Sequence, residues 1–269
     1  MLRLRLLVVV SAFACAAAGA ADHTLSFEPV QDASIFAGTP GSETLADGSG
    51  ASLWLSVTGA AAGNLNRRMM MRFDLSAVPA GSVVKSVTLN LREIRARDTH
   101  DVALHRLLSA WGEGASNSPQ GDGAPAQNGD STWTYRIYPS ALWATPGGDF
   151  AGNPSAVQSI GQVFPATYTY SAMLPPSGPA PGLIQDVQAW IDAPSSNHGW
   201  IFIGVENATQ NAKRFGSRNT ASPTDRPQLS VTYGDAAVAS VAQVPVPPWA
   251  LGALAVLLVA GGYRRIQRG

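Results

Sequence analysis

Cysteine is nearly absent: Cys15 stands alone in a chain of 269 residues. No intramolecular disulfide can form, so stability must come from burial, with a bound metal as the other recourse. Catalytic signatures are missing as well. His23, His100, His105 and His198 lie in separate segments without H-E-x-x-H spacing, which excludes the helical zinc-protease arrangement. No G-x-S-x-G occurs and no glycine-rich phosphate loop follows a strand, so the serine-hydrolase and nucleotide-binding signatures are excluded too. The 18 scattered acids still permit a carboxylate pair in space, and a polysaccharide hydrolase or lyase stays among the alternatives. Excess charge is the last absence. Arg3, Arg5, Arg264, Arg265 and Arg268 lie in the two end segments, leaving 13 basic against 18 acidic residues between them, a net of −5. Such a body does not attract a polyanion, so nucleic acid is not an expected partner.

What is present begins with two ends that read as addresses. Arg3 and Arg5 precede an apolar run at 6–10, and small residues fill 12–21. This is the layout of a secretory signal peptide over residues 1–21, with Ala18-Gly19-Ala20 as the peptidase site; a retained anchor is the alternative. Ala12-Phe13-Ala14 before Cys15 lacks the branched aliphatic residue of a lipoprotein signal. At the other end Pro247-Pro248 precede the apolar residues 249–262, and Tyr263, Arg264, Arg265, Ile266, Gln267 and Arg268 follow. Residues 244–263 approach the roughly 20 that a bilayer needs. Trp249 and Tyr263 stand where interfacial aromatics belong, and Arg264 and Arg265 would stay cytoplasmic. A transmembrane helix is expected there, with a buried soluble helix as the alternative. This tail resembles the PEP-CTERM type of sorting signal: a proline motif (Val244, Pro245, Val246, Pro247), an apolar span and an arginine cluster. Here Val246 stands where that family has glutamate. The resemblance implies export across the inner membrane of a Gram-negative bacterium; the sorting partner would be an exosortase-like protease, a relative of different specificity, or none. Display at the envelope or release would follow.

Between the ends, residues 22–234 are expected to form one domain and 235–243 a small-residue linker. The stretch 67–111 sets the class. Met69, Met71 and Phe73 alternate with Met70, Arg72 and Asp74; Val87, Leu89 and Leu91 alternate with Ser86, Thr88, Asn90 and Arg92; Val102 and Leu104 alternate with Ala103 and His105. A period of two predicts three strands of one antiparallel sheet. Further strands are expected at 25–37 with a turn at Pro29, at 53–58, at 200–205, and around Phe215 and Leu229, Val231 and Tyr233. A hairpin is expected over 158–170. Leu183, Val187, Trp190 and Ile191 fall at helical spacing, with Asp186, Gln188 and Asp192 on the solvent side. Many short strands and one short helix predict an all-β, two-sheet antiparallel β-sandwich of the jelly-roll type.

Residues 112–131 are almost free of large apolar side chains, and a loop that long implies ligand contact, ion binding or disorder. Glu113, Asp122 and Asp130 beside glycines are candidate calcium ligands, since hard cations take several oxygens; a solvated acidic loop is the alternative. Trp133, Tyr135 and Trp143 follow in an irregular region. Flat aromatic faces stack on pyranose rings, so these three are candidate sugar-binding residues; the alternative is that they cap the core. Alternation predicts that Trp133 and Tyr135 share a strand face.

A series of short motifs runs along the body: Asp32-Ala33-Ser34-Ile35, Arg72-Phe73-Asp74-Leu75-Ser76, Pro79-Ala80-Gly81, Trp111-Gly112-Glu113-Gly114 and Thr132-Trp133. It continues through residues 145–150, Asp186-Val187-Gln188-Ala189-Trp190, Asn197-His198-Gly199-Trp200 and Arg226-Pro227-Gln228-Leu229. In this series the body is similar to the DNRLRE family of secreted domains. The resemblance implies a jelly-roll sandwich related to carbohydrate-binding modules, extracellular placement and polysaccharide binding without catalysis. A structural matrix or adhesion protein is the second reading, and a polysaccharide-degrading enzyme the third.

Overall fold

The computed structural model describes residues 21–235. Save Ala21 and Asp235, the expected signal peptide, linker and sorting tail lie outside the described residues. Among the described residues no helix is long and apolar enough to cross a membrane.

The described residues open with β1 (Asp22–Phe27) and β2 (Pro29–Ala37), broken at Glu28 before Pro29. Then come β3 (Leu45–Asp47), β4 (Ser52–Leu55), β5 (Asn66–Phe73), β6 (Val83–Ala96) and β7 (His100–Arg106). Three short strands, β8 (Ala124–Pro125), β9 (Tyr135–Ile137) and β10 (Ala141–Leu142), lie in the irregular region. Strands β11 (Ala156–Ile160) and β12 (Ala166–Met173) precede helix α1 (Gly182–Asp192), and β13 (Trp200–Ile203), β14 (Lys213–Gly216) and β15 (Gln228–Gly234) close the domain. The body is mostly β, with antiparallel sheets and one α-helix among the described residues.

A seven-stranded sheet runs β11-β7-β13-β5-β2-β3-β8. In the six-stranded sheet the long β6 pairs along one edge with β12 and along the other with β15 and then β14. Strand β1 extends β15, and β4 extends β14. Two expectations are corrected here. The three strands of 67–111 do not share a sheet, because β5 and β7 belong to the seven-stranded sheet and β6 to the other. Likewise β11 pairs with β7 while β12 pairs with β6, so 158–170 is a crossover between layers rather than a hairpin. A period of two reports that a strand has a buried face; it carries no information about the neighbour.

One core fills the space between the layers. Met69, Met71, Phe73, Val102, Leu104, Trp200 and Phe202 from one sheet meet Leu53, Leu55, Val87, Leu89, Leu91, Phe215, Leu229 and Val231 from the other. Helix α1 adds Leu183, Ile184, Val187, Trp190 and Ile191. The Trp190 and Trp200 rings lie 4.6 Å apart between centroids, so Trp190 is a core anchor. Asp186, expected on the solvent side, is buried instead. It accepts hydrogen bonds from Trp200 Nε1 at 2.8 Å and from Ser155 Oγ, with Arg106 at 3.5 Å. The indole that it holds belongs to the core, which is why a charged position on α1 turns inward.

A second, smaller core covers the outer face of the seven-stranded sheet. Ala33, Ile35, Met70 and Ile201 point away from the first core and are capped by Leu107, Trp111 and Trp143. Both parities of β5 are therefore buried, which explains the unbroken run Met69-Met70-Met71. A strand covered on both faces needs apolar residues at successive positions. Met70→Ala is expected to destabilise the protein by about 2–4 kcal/mol, as much as Met71→Ala, in urea unfolding. If only one face of β5 were buried, one of the two substitutions would fall within about 0.5 kcal/mol of zero.

Candidate functional site

The segment 107–155 lies over the outer sheet face, and polar anchors fix it there. Trp111 donates its indole N–H to His198 O at 2.8 Å, and Trp143 donates to Thr132 O at 2.9 Å. The long polar loop is not a loose chain. Asp130 is fully buried and accepts from the backbone N–H of Ala115 at 2.8 Å, Ser116 at 3.2 Å and Gln127 at 2.6 Å. Gly114, at φ +71°, passes so close that a Cβ there would fall 1.6 Å from the Asp130 carboxylate oxygen. A carboxylate replaces strand pairing as the organiser of this segment.

The three candidate sugar-binding aromatics do not converge on one exposed platform. Trp143 is 4% exposed and belongs to the second core. Trp133 and Tyr135 share no strand face, because β9 begins at Tyr135 and Thr132 Oγ1 turns the chain by accepting from Thr134 N and Tyr135 N. Tyr135 instead meets Tyr138 edge to face at 5.2 Å. Trp133 is half-buried, with the Arg68 guanidinium 4.4 Å from its ring centroid. Arg68 in turn lies 5.5 Å from the Phe150 ring and is clamped by both Glu206 oxygens, at 2.6 and 2.7 Å.

Beside this stack opens a groove of about 590 Å³ lined by Arg68, Leu108, Ser109, Thr145, Asp149 and Phe150 among others. Leu108 is 52% exposed. Asp149 braces the rim by accepting from Thr145 N at 2.9 Å, Ala144 N at 3.1 Å and Ser109 Oγ at 3.2 Å. The groove combines an apolar wall with fixed polar edges. Of its lining, sequence reasoning singled out only the 145–150 segment, and only for family resemblance. Arg68 carries a signal visible afterwards: a charged residue interrupts the outward-facing parity that Met70 fills with methionine.

The three candidate calcium ligands are engaged separately. Glu113 is paired with Arg218 at 3.1 Å and accepts from Asp32 N. Asp122 accepts from Ser118 Oγ at 3.1 Å, and Asp130 serves the loop backbone. Among the described residues no group of three His, Cys, Asp or Glu side chains is placed to hold a metal ion. Two buried carboxylates received no role from the sequence. Asp47 accepts from Trp54 Nε1 and Ser118 N, and burial raises its pKa to about 6. Asp32 is 1% exposed; burial pushes it to about 7, against the opposing hydrogen bond from Arg218 N. One serine–histidine pair occurs among the described residues, Ser56 Oγ to His100 Nε2 at 3.0 Å. Ser56 has no solvent exposure, and desolvation lowers His100 to about 4, so this pair is closed to a substrate as it stands.

No family model matches the chain, and no curated protein matches it either.

The Asp32 shift has a stability consequence with a definite sign. Its folded pKa is raised, so the folded state holds the proton more tightly than the unfolded chain. The contribution is complete below about pH 4 and is lost as pH rises towards 7. Asp32→Asn, which mimics the protonated acid, is expected to gain stability relative to wild type by roughly 2–4 kcal/mol between pH 4 and pH 8. Paired thermal melts across that range check it; a constant difference would mean that Asp32 does not titrate in this window.

Proposed function

We propose that this protein is an exported, non-catalytic polysaccharide-binding domain of jelly-roll type. The observation that carries the proposal is the groove beside Arg68, Trp133 and Phe150, where an aromatic and aliphatic wall meets polar groups held in place before any ligand arrives. Sugars are bound by that combination: apolar contact with the ring faces and fixed hydrogen-bonding groups for the hydroxyls. Preorganisation by the Glu206 clamp on Arg68 and the Asp149 brace lowers the ordering cost of binding. The residue-level resemblance to DNRLRE domains supports the same reading. So do the signal-like residues 1–21 and the PEP-CTERM-like tail, which favour the Gram-negative cell envelope or its exterior as the site of action.

Affinity electrophoresis of the full chain through gels containing cellulose derivatives, xylan, alginate or dextran tests the reading. Retardation by at least one polymer is expected. Leu108→Ser, in the groove wall, and Trp133→Ala, which removes the ring supporting Arg68, are each expected to weaken it roughly tenfold, about 1.4 kcal/mol, while circular dichroism stays unchanged. Uniform absence of retardation would remove the proposal and leave the structural matrix reading.

A further inference from the structure

A different pocket lies on the six-stranded sheet, at the end where β4, β14 and β6 run side by side. Trp54, Arg67, Arg95, Arg97 and Arg214 line a depression of about 240 Å³ together with Thr58, Ala62, Ala212 and Lys213. No carboxylate is among the lining residues. The arginines are brought together by strand register. Arg214 on β14 stands directly opposite Trp54 on β4 and opposite Arg95 on β6. The register slips between Arg214 and Phe215, the kind of irregularity that re-aims side chains beside functional sites. Like charges directly opposite on adjacent strands are destabilising, so the Arg95–Arg214 pairing needs a compensating anion.

No ion pair among the described residues supplies one. Among the described residues Arg67, Arg95, Arg97 and Arg214 form no salt bridge, whereas Arg68, Arg92, Arg106, Arg218 and Arg226 each do. Asp98 adjoins Arg97, and its carboxylate accepts from Thr99 N; Glu93 is taken by Lys213, and Asp47 accepts from Trp54 Nε1 at 3.0 Å without pairing with any of the four. Arg67 is buried, donates to Ser56, Gly121 and Leu55 carbonyls, and is lowered by desolvation only to about 10, so it keeps its charge. Its guanidinium and that of Arg214 lie 5.6 and 5.1 Å from the Trp54 ring centroid, and Arg214 Nε is held by Ser52 Oγ at 2.8 Å. Two cations are thus fixed on an indole, and two more, Arg95 and Arg97, are exposed at the mouth.

We propose that this pocket binds a tetrahedral oxyanion ester, a phosphate or sulfate group carried on a sugar-sized molecule. Four guanidiniums around so small a space exceed what one carboxylate can neutralise; Arg67, committed to carbonyls, adds charge, while the planar forks of Arg95, Arg97 and Arg214 match tetrahedral oxyanions. The carrier has a place. A second depression of about 400 Å³, lined by Gly59, Ala60, Ala61 and Gln210, shares Thr58, Ala62, Arg97 and Ala212 with the first. The site is separate from the Arg68 groove, and its fate does not depend on polysaccharide binding.

Calorimetric titration of the full chain with glucose 6-phosphate, glucose 6-sulfate, inorganic phosphate and glucose, at matched ionic strength, tests the proposal. One of the two esters is expected to bind at least tenfold more tightly than inorganic phosphate, and glucose not at all; which ester prevails identifies the source. Arg95→Gln with Arg97→Gln, both at exposed positions, is expected to weaken the ester roughly a hundredfold, about tenfold for each charge-assisted contact. Leu108→Ser is expected to leave ester binding unchanged. The proposal is overturned if neither ester gives heat, if the double variant binds as wild type does, or if inorganic phosphate matches the esters. Equal retention on polygalacturonate or single-stranded DNA would also overturn it, by making the arginines an unselective cationic patch.

Discussion

The constraint on which the rest depends is that the seven-stranded sheet is apolar on both faces. Met69 and Met71 point into the space between the layers, and Met70 points the other way. Ile201 on β13 and Ile35 on β2 extend the outward face. Each fully buried side chain of this size is worth about 1.5–3 kcal/mol, so neither face can be left to water. The six-stranded sheet and α1 cover one. Only the segment 107–155 is available for the other, and its sequence is otherwise that of a loop. Trp111 and Trp143 attach it as anchors, and Asp130 holds the polar remainder by satisfying three backbone N–H groups. The groove at Arg68 exists because this cover ends there, between Leu108 and Phe150.

Buried charge is the second theme, and it follows from the first. Covering both faces encloses groups that a single sandwich would leave at the surface. Asp32 has the inward parity of β2, opposite Met71, and is enclosed between Glu113 of the covering segment and Arg218. At the far end of β6, Glu93 and Lys213 are sealed together with no side-chain exposure, 3.6 Å apart, and Lys213 also donates to Asp98 and Gly161 carbonyls. Removing one member of such a pair strands the other, at a cost of about 3–5 kcal/mol. Burial raises Asp32, Asp47 and Glu93 and lowers His100. The three acids lose their stabilising share as pH rises from about 4 to 7, while His100 loses its share as pH falls from 6.5 to about 4. The windows overlap with opposite signs, so His100 offsets part of the acids' loss.

Much of the fold was legible in the sequence. Alternation marked β5, β6, β7 and β15, the spacing of Leu183, Val187, Trp190 and Ile191 marked α1, and turn residues separated them. What alternation could not carry was pairing. Strand β6 follows β5 and precedes β7 yet joins neither, since its partners β12, β14 and β15 lie far along the chain. The site was legible in its region but not in its members. The segment after Trp111 is irregular as expected, but covering a sheet face was not among the reasons the sequence offered for it. Its conspicuous residues turned out to hold it together: Trp143 is an anchor and Asp130 an organiser. A buried indole and an exposed one are the same letter, and only the second apolar face of β5, spelled Met69-Met70-Met71, announced that something had to be covered.

Net charge was the least informative quantity, for a physical reason. A surplus of five acids over the body sets the field at long range, where salt screens it within about 8–10 Å. Recognition is decided inside that distance. In some places carboxylates meet their arginines, as Glu206 meets Arg68 and Glu113 meets Arg218, and the result is rigid and nearly neutral. Elsewhere the register of β4, β14 and β6 gathers arginines around Trp54 with no acid among the pocket's lining residues. An overall acidic body and a locally cationic pocket are compatible because they act at different distances. The acidic surface disfavours long polyanions, so what reaches the pocket is selected for being small and locally charged.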